Sequence, residues 1–271
     1  MKCDLHIHTN CSDGIFSPED IVDMAHERGL DCIAITDHDT FCGVARARAR
    51  ANELGIKYVV GAEISSVFDG MDVHMLAYNV DITNPDFANA IAEIADFRNQ
   101  RNIAIVSKLA EHGIVIDLDA LKKQVGSVGR AVIAREIVRQ GHCVDVAEVF
   151  DKYLGTGKCC FVQTRRLTPI EVIRFTLRFG GIPVLAHPKQ LRMSNQELEE
   201  FIAPLVNAGL AGIEANYFTH NNDERNYFNQ LAKKYKLVST GGSDFHDYVH
   251  GVELGTKSFS PNAYTRKILG I

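Results

Sequence analysis

The sequence predicts an α/β protein, either a barrel or a doubly wound sheet, that is interrupted by a helical insertion. Seven short apolar segments with strand character are spread along the 271 residues, and helical patterns separate most of them. Near-continuous apolar runs of this kind are typical of parallel strands covered by helices. Between residues 81 and 165 the apolar residues recur at helical spacing instead, which indicates the insertion.

The first third of the chain predicts strands at CDLHIHT and DCIAIT, each followed by a helix. The first helix is expected to begin at Ser17 and Pro18, a favourable N-cap and first position, and to end at Gly29. The second helix is expected over residues 40–54. A third strand, KYVVGAEIS, completes this part of the pattern.

The fourth strand, DVHMLAY, follows the third too closely for a crossover helix. We therefore predict a β-hairpin with Asp69-Gly70 near its turn. Glu63 and His74 are nearly equidistant from the centre of this loop, so a symmetric hairpin would make them a cross-strand pair.

The remainder divides into the insertion and a second α/β stretch. Within the insertion, helices are expected over 87–112, 117–125, 130–140 and 144–154. Helices over 168–179, 194–208 and 222–235 then alternate with the strands IPVLAHP, AGIEANY and KLVSTGGSD. We predict one unit from residues 1–80 and 166–271, and a helical unit from residues 81–165 that caps the active site and contributes to substrate binding.

Composition excludes several classes of protein. A net charge of −5 argues against a protein that coats long nucleic acid by charge alone. Because no window approaches the ~20 apolar residues that span a bilayer and no secretory signal is visible, we expect a cytoplasmic protein without membrane contact. No protein partner is evident. The seven cysteines are interpreted as small buried hydrophobes in preference to a thiolate zinc site.

Polar residues with metal-binding side chains follow the predicted strands. Each motif alone favours a structural role, but together they fall at strand ends that share one rim. Imidazole and carboxylate groups suit divalent manganese, zinc, iron or cobalt, and nine ligands are too many for one ion. The nine candidates are His6, His8, Asp13, His38, Glu63, His74, His187, Asp244 and His246. By contrast, His26, His112 and His142 are expected on the surface, and His250 in a C-terminal loop.

The segments DLHIHTNCSDG, TDHDT, GAEIS, VHMLAY, AHP and GSDFH resemble the motifs of the PHP (polymerase and histidinol phosphatase) phosphoesterases. The resemblance implies a distorted (β/α)7 TIM-like barrel with two or three divalent metal ions. Manganese is the first expectation, with zinc, iron and magnesium as alternatives. The resemblance also implies three ligand sets: His6, His8, Glu63 and Asp244; Glu63, His74 and His187; and Asp13, His38 and His246.

The insertion resembles that of a narrower subgroup. VGRAVIAREIV and YLGTGKCCFV are similar to segments of enzymes that remove the 3′-phosphate from nucleoside 3′,5′-bisphosphates, some of which also trim short RNA from the 5′ end. Members often have Gly-Arg-Pro-His where this chain has Gly-Arg-Ala-Val at 129–132. His220 matches a histidine that the subgroup tends to carry. We assign His220 and Asp37 as catalytic candidates.

Basic residues of the insertion are candidates for substrate binding. Arg98 and Arg101 share a helix face, and Arg130 stands at a predicted helix start, where free backbone N–H groups favour anions. Guanidinium groups bind phosphate through two parallel hydrogen bonds. We assign this role to Arg98, Arg101, Arg130, Arg135 and Lys158, although a solvated helix charge is as good an interpretation of any single arginine.

These features predict a metal-dependent phosphomonoesterase that cleaves the 3′-phosphate of nucleoside 3′,5′-bisphosphates by a metal-bridging hydroxide. Its partners would be nucleotides and short RNA 5′ ends. Three alternatives remain: a PHP phosphatase for a histidinol phosphate-like substrate, an amidohydrolase-type enzyme that cleaves amides or lactones, and a non-catalytic nucleotide sensor. The amidohydrolase alternative is weaker because Glu63 takes the position where that family usually has a carboxylated lysine.

Overall fold

The computed structural model describes residues 1–125, 127–163, 165–248 and 251–271, so His250 lies outside the described residues. Its strands are β1 (Cys3–Ile7), β2 (Cys32–Ile35), β3 (Lys57–Tyr58), β4 (Gly61–Phe68), β5 (Met71–Tyr78), β6 (Ile182–Leu185), β7 (Gly212–Tyr217) and β8 (Val238–Gly242). They form a three-stranded parallel sheet in the order β1-β2-β3 and a five-stranded mixed sheet in the order β4-β5-β6-β7-β8. In the mixed sheet β4, β5 and β6 are antiparallel neighbours, and β6, β7 and β8 are parallel.

The predicted third strand is divided between the two sheets. The Val59 N–H donates to Ile33 of β2, whereas the Val60 carbonyl accepts from Asn79, just beyond β5. The chain therefore changes partner strand between these two residues. A continuous apolar run carries no sign of such an exchange, which explains why the sequence predicts one strand where the structure has two.

Individual hydrogen bonds join the sheets at one end. His6 accepts from the N–H of Asp244, just after β8, at 2.8 Å. On the other side, the Glu63 N–H of β4 donates to the Thr36 carbonyl, just after β2, at 3.1 Å. The α/β class is thus confirmed. A continuous closed ladder, as a regular barrel would have, is not formed by the described residues.

The predicted hairpin is present, but its register differs from the expectation. Asp69 and Gly70 form the two-residue turn with φ angles of 46° and 80°, so both take the left-handed conformation of a type I′ turn. His74 pairs with Ser65, and Glu63 pairs with Leu76, so the predicted direct pair is wrong by two residues. Because strand side chains alternate, Glu63 and His74 nevertheless share one face of the sheet.

Most predicted helices are present within a few residues of their expected bounds. They are α1 (Pro18–Glu27), α2 (Val44–Leu54), α3 (Phe87–Glu111), α4 (Leu118–Gln124), α5 (Arg130–Arg139), α6 (Val146–Val149), α7 (Pro169–Arg178), α8 (Asn195–Asn207) and α9 (Asn222–Lys234). Ser17 caps α1 as predicted, in a capping box with Asp20. The helix expected over 144–154 consists of α6 and a π-helical turn (Phe150–Leu154) that continues it, whereas a 3₁₀ turn (Pro188–Leu191) and α10 (Ala263–Leu269) were not predicted.

Helix α3 connects two hydrophobic cores. Its first turns place Phe87 and Ile94 in the core beneath the mixed sheet. Its last turns place Ile105 and Leu109 in a separate core formed by the helical segment between β5 and α7. Arg98 and Arg101 therefore lie between the two cores. None of the described helices is both long and apolar enough to cross a membrane.

Candidate metal centre

Strand β1 brings two imidazoles to the end where the sheets meet. His6 and His8 are completely buried, and their Nε2 atoms point to the same two carboxylates. Those atoms lie 3.3 and 3.2 Å from Glu63 Oε2, and 3.3 and 3.0 Å from Asp244 Oδ1. These four residues are the first ligand set that the resemblance implies, and their ligand atoms are close enough to share one ion.

The second oxygen of Glu63 faces a different pair of histidines. Glu63 Oε1 lies 2.9 Å from His74 Nδ1 and 2.8 Å from His187 Nε2. His38 Nδ1 is also close, at 3.2 Å from Glu63 Oε2. Glu63 thus contacts two sets of imidazoles through its two oxygens, as a carboxylate shared between neighbouring ions would.

Asp13 gathers the remaining candidates. Its Oδ1 lies 3.2 Å from His246 Nε2 and 3.5 Å from His8 Nδ1, and its Oδ2 lies 3.8 Å from His38 Nε2. The structure therefore brings all nine predicted residues into one cluster. It also shows that His8 and His38 each lie close to residues of two ligand sets, whereas the resemblance places each of them in one set.

The free atoms of the cluster fit a bound cation. His6 Nε2, His8 Nε2 and Asp244 Oδ1 are buried, and although they lie close together, none of them has a hydrogen bond of good geometry to any described residue. A buried polar atom without a partner costs about 1–3 kcal/mol, so such atoms rarely persist without a purpose. Imidazole and carboxylate donors without a thiolate suit the harder divalent transition metals.

The pKa directions within the cluster lead to the same conclusion. Burial alone would lower the pKa of His8, but the carboxylates of Asp244 and Glu63 raise it to about 10. Burial alone would raise the pKa of Glu63, but His74, His6 and His38 hold it well below its usual value. The carboxylates thus require positive charge beside them, which divalent cations would supply in exchange for protons.

Local backbone geometry aims the side chains at the centre. His187 and Asp244 have φ angles of 23° and 53°, a left-handed region that residues other than glycine seldom adopt. Strained residues of this kind concentrate at functional sites. Gly242 permits the close approach of β8 to β1, since a Cβ atom there would lie 2.4 Å from the Cβ of His6.

Glu214 of β7 belongs to the centre but was missed in the sequence. Its carboxylate lies 3.1 Å from His6 Nδ1 and accepts the N–H of His187 at 2.8 Å. Such a carboxylate orients a metal-binding imidazole and fixes its tautomer. The available signal was one acidic residue inside the apolar strand AGIEANY, because a completely buried glutamate is rare unless paired.

The contacts of Asp37, predicted as a catalytic candidate, favour a positioning role. Its two oxygens accept hydrogen bonds from the Thr9 N–H and hydroxyl at 2.8 and 2.7 Å, and from the Ser12 hydroxyl at 2.6 Å. The side chain is buried and fully engaged with the loop that carries Asp13. Asp37 is therefore a positioning residue for this loop.

The contacts of His220, the other catalytic candidate, favour a structural role. The ring is completely buried between Tyr217 and Phe228, and Nδ1 lies 3.0 Å from the Ala215 carbonyl. Burial lowers the pKa of His220, so the neutral form is favoured. With the Nδ1 proton bound to a carbonyl, Nε2 of the neutral ring has no proton to donate, and solvent does not reach it.

Two predicted arginines line a pocket that opens onto the cluster beside His38 and His74. Arg98 pairs with Asp39 at 2.7 Å and donates to Ser65 at 2.8 Å. Arg101 is 6% exposed, and no described carboxylate pairs with it. Its Nε has no hydrogen-bond partner in the described part of the chain.

The same pocket is lined by Arg130, a predicted substrate-binding residue, and by Arg166, which was not predicted. Both guanidinium groups bind the carboxylate of Asp72. These cations hold the pKa of Asp72 well below its usual value, although burial opposes them. Arg130 also stands at the first position of α5, as the sequence indicated.

Arg135 and Lys158 lie outside this arginine pocket. Arg135 donates to the backbone carbonyl of Asp13 at 2.5 Å, and so ties α5 to the loop that carries this residue. Lys158 is exposed and pairs with Asp151 at 2.9 Å, both on the helical segment. The structure therefore does not bring Lys158 to the site, because its charge is satisfied at the surface.

A second, larger cavity adjoins the cluster on the side of Asp13 and His246. Its walls are mostly apolar and come from the helical segment on one side and from the end of β7 and residues after β8 on the other. The apolar wall residues are Ala131, Val138, Val144, Val146, Ala147, Phe218 and Val252. The cluster is thus accessible from a basic pocket and from an apolar cavity.

Comparison with known proteins agrees with this geometry. The model of the PHP domain family matches residues 4–160. The 5′-3′ exoribonuclease Rnm of Escherichia coli (strain K12) is 34% identical over 262 residues, which cover 95% of this chain and 89% of the relative. The 3′,5′-nucleoside bisphosphate phosphatase of Chromobacterium violaceum is 31% identical over 246 residues, which cover 90% of this chain and 86% of the relative.

A more distant relative is the phosphoribosyl 1,2-cyclic phosphate 1,2-diphosphodiesterase of Eggerthella lenta, 28% identical over 250 residues, which cover 90% of this chain and 93% of the relative. Among solved structures, an amidohydrolase from Chromobacterium violaceum with bound sulfate and no metal matches with a TM-score of 0.86 and 29% identity, covering 97% of this chain and 93% of the other. A Bifidobacterium adolescentis protein assigned as a metal-dependent phosphoesterase matches with a TM-score of 0.85 and 29% identity. The match covers 99% of this chain and 95% of the other.

The exoribonuclease, the bisphosphate phosphatase and the cyclic phosphodiesterase have different substrates, but the names of all three describe hydrolysis of phosphoric esters. The buried cluster of imidazoles and carboxylates provides ligand groups for the divalent metal ions that such chemistry uses. The chain is therefore a phosphoric ester hydrolase, and it belongs to the PHP domain family of metal-dependent phosphoesterases.

Proposed function

We propose that the enzyme removes the 3′-phosphate from nucleoside 3′,5′-bisphosphates and holds the 5′-phosphate in the arginine pocket. The observation that supports this most directly is Arg101, a buried guanidinium without a carboxylate partner among the described residues, in a pocket that opens onto the cluster. An unpaired buried charge is costly, and a bound anion would remove that cost.

The charge of the pocket supports a phosphate group. Four guanidinium groups line the pocket: Arg98 pairs with Asp39, Arg130 and Arg166 share Asp72, and Arg101 has no described carboxylate partner. The remaining carboxylate of the pocket, Asp13, faces the imidazoles of the cluster and is counted with them. The excess of two positive charges matches a phosphate dianion. Burial and the neighbouring Arg98 lower the pKa of Arg101 to about 9, so it still carries its charge at neutral pH.

We propose that the nine clustered residues hold two or three divalent ions, of which manganese is the first to test and zinc, iron and magnesium are alternatives. When bound, such ions polarise a phosphoryl oxygen and lower the pKa of water. The chain itself orients the reacting groups. Glu63 aligns two ligand sets, Glu214 fixes His6, and the hydroxyl of Tyr217 holds Asp244 through a 2.8 Å hydrogen bond.

The positions of these residues along the chain support separate parts for substrate binding and metal binding. We propose that residues 1–80 and 166–271 form a distorted TIM-like barrel with the cluster at its mouth, and that residues 81–165 form an inserted cap. Arg98, Arg101 and Arg130 come from the helical segment, whereas the nine cluster residues come from the rest of the chain. The cap would then select the substrate without taking part in the chemistry.

A phosphate-release assay with manganese tests the proposal. The substrates are 3′,5′-bisphosphoadenosine, 3′-AMP, 5′-AMP and histidinol phosphate, each at several concentrations. We expect the highest kcat/KM for the bisphosphate, a lower value for 3′-AMP, and little release from 5′-AMP. Equal turnover of all four monoesters would contradict a role for the arginine pocket, and a preference for histidinol phosphate would favour the alternative phosphatase.

Removal of nucleotides from short 5′-phosphorylated RNA is a second candidate function. It is favoured by the apolar cavity, which adjoins the cluster on the side of Asp13 and His246 and has room for a nucleoside beyond the scissile phosphate. A 5′-phosphorylated tetranucleotide should then yield nucleoside 5′-monophosphates in order from the 5′ end. An intact tetranucleotide, under conditions that cleave the bisphosphate, would exclude this function.

A further inference from the structure

A second group of metal-binding side chains lies in the helical segment. His112 follows the last residue of α3, and Cys159 and Cys160 lie in the loop after the π-helical turn. Their ligand atoms are all within 4.8 Å of one another. His112 and Cys159 are exposed, and Cys160 is completely buried. None of these residues belongs to the nine-residue cluster.

The distance between the two thiols suits tetrahedral coordination. Cys159 Sγ and Cys160 Sγ are 3.7 Å apart. Two sulfur ligands at about 2.3 Å from a tetrahedral zinc ion are separated by about 3.8 Å, so the pair already has nearly the required spacing. The same separation is an ordinary contact between unbonded sulfur atoms, which makes the imidazole beside them the informative third group.

The surrounding contacts already hold the two parts of the group together. Lys108, one helical turn before His112, donates to the Phe161 carbonyl at 3.0 Å. The Cys160 N–H donates to the Tyr153 carbonyl at 3.0 Å. The end of α3 and the cysteine loop are therefore fixed relative to each other, and little rearrangement is needed to bring three ligands to one ion.

We propose that His112, Cys159 and Cys160 form a site for a thiophilic divalent cation of the Zn²⁺ type, with solvent in the fourth position. Cysteine and histidine are the ligands that zinc prefers, whereas the nine-residue cluster has only nitrogen and oxygen donors. The ion would link the C-terminal end of α3 to the cysteine loop.

Binding exchanges protons for the metal. Burial, followed by the neighbouring Cys159, raises the pKa of the Cys160 thiol to about 12, so without metal the thiol keeps its proton. The cation forms two metal–sulfur bonds as both thiols lose a proton to solvent, and no electron is transferred. Cys159 also gives up its weak hydrogen bond to the Lys152 carbonyl, now 3.6 Å long.

The location gives the site a structural consequence. Helix α3 carries Arg98 and Arg101, and Arg166 follows the cysteine loop by six residues. A metal bond between the end of α3 and this loop would therefore stiffen two segments that lead to lining residues of the arginine pocket. Metal binding at this site does not depend on which substrate the enzyme cleaves, so a test of the site is independent of the proposed function.

Cobalt substitution of the full-length reduced protein tests the site. Only a thiolate-bound Co²⁺ gives a sulfur-to-metal charge-transfer band in the near ultraviolet, so the nine-residue cluster is silent in this measurement. With the nine-residue cluster first filled with Mn²⁺, we expect a band that saturates at one Co²⁺ per chain and that Zn²⁺ abolishes by displacement. Cys159→Ser should remove the band, and His112→Ala should weaken Co²⁺ binding at least 10-fold.

Cys42→Ser is the matched control, because Cys42 is also exposed but lies outside the helical segment. It should retain the full band. Absence of a band in the unmodified protein, or a band that survives Cys159→Ser, would overturn the proposal. Circular dichroism confirms the fold of each variant, and Zn²⁺ protection of Cys159 from alkylation, read by mass spectrometry, provides a second test that requires no variant.

Discussion

Glu214 holds His6 in place from outside the metal cluster. Both side chains are completely buried, and the two carboxylate oxygens lie 3.1 and 3.2 Å from His6 Nδ1. This contact leaves Nε2 of the ring directed at Glu63 and Asp244. Because Glu214 also accepts the N–H of His187, one carboxylate orients residues from two different ligand sets.

Glu214→Gln should weaken metal binding more than it slows the reaction. Loss of the charge removes the partner that fixes the His6 tautomer, and changes of this kind typically cost about 10- to 100-fold in metal affinity. We expect the manganese concentration for half-maximal activity to rise by that factor, with most of kcat recovered at saturation. Glu199→Gln, at a surface ion pair with Lys234, is the control. An unchanged manganese requirement would contradict the assigned role.

Arg101→Met should separate substrate selection from stability. Hydrogen bonds to charged groups contribute about 1.5–3 kcal/mol, so kcat/KM for 3′,5′-bisphosphoadenosine should fall about 10- to 100-fold. Hydrolysis of 3′-AMP, which lacks the 5′-phosphate, should be nearly unaffected. The free energy of unfolding should stay constant or rise, because methionine replaces a buried cation surrounded by other arginines.

Arg46→Met is the control for this experiment, since Arg46 forms a surface ion pair with Glu19 far from the pocket. The activity of Arg46→Met towards both substrates should be unchanged. An equal loss of activity towards both substrates in Arg101→Met would show that Arg101 supports the cluster and does not bind the 5′-phosphate.

Much of the cluster could be predicted from the sequence because the alternation of side chains along a strand and the order of strands in an α/β fold determine it. The alternation of His6 and His8 with apolar residues places both rings on one face, and successive strand ends bring the other ligands to the same rim. The register of the hairpin could not be predicted in this way. Its two-residue turn at Asp69-Gly70 is off-centre between Glu63 and His74, so the pair is diagonal.

Ion pairs between residues far apart in the sequence could not be predicted either. Asp72 and Arg166 are 94 positions apart, and neither stands in a motif, so only the fold shows that they meet. Sequence also could not show which charges are already neutralised. Lys158 pairs with Asp151 at the surface and Arg98 with Asp39 in the interior, whereas Arg101 has no described carboxylate partner.

His220→Ala should leave the chemistry intact. The ring is buried, and its Nε2 has no proton to give, so we expect kcat/KM to change by less than about threefold and the pH–rate profile to keep its shape. The free energy of unfolding should fall by about 2–4 kcal/mol, because a large buried side chain is removed. Loss of the alkaline limb of the profile in a folded variant would restore His220 as the general acid.

His74→Ala should abolish most of the activity. His74 lies 2.9 Å from the shared carboxylate of Glu63, and its removal takes one ligand from the second set. We expect kcat to fall about 100-fold or more, because the charge that polarises the phosphoryl group is lost. His26→Ala, at an exposed position of α1, is the control and should be fully active. Normal activity in His74→Ala would rule out this ligand set.

Asp72→Asn should lower stability in a way that depends on pH. Asp72 binds Arg130 and Arg166, which depress its pKa in the folded protein below the value of about 3.9 in the unfolded chain. The contribution is therefore complete above about pH 5 and is lost as the pH falls through the folded pKa.

At pH 7 we expect the variant to be less stable by about 1.5–3 kcal/mol, measured by chemical denaturation of the metal-free protein. The difference from the unmodified protein should begin to shrink near pH 4. The other carboxylates titrate in both proteins, so the difference isolates Asp72. A difference that stays constant down to pH 2 would mean that Asp72 stabilises the pocket by packing and hydrogen-bond geometry, not by its charge.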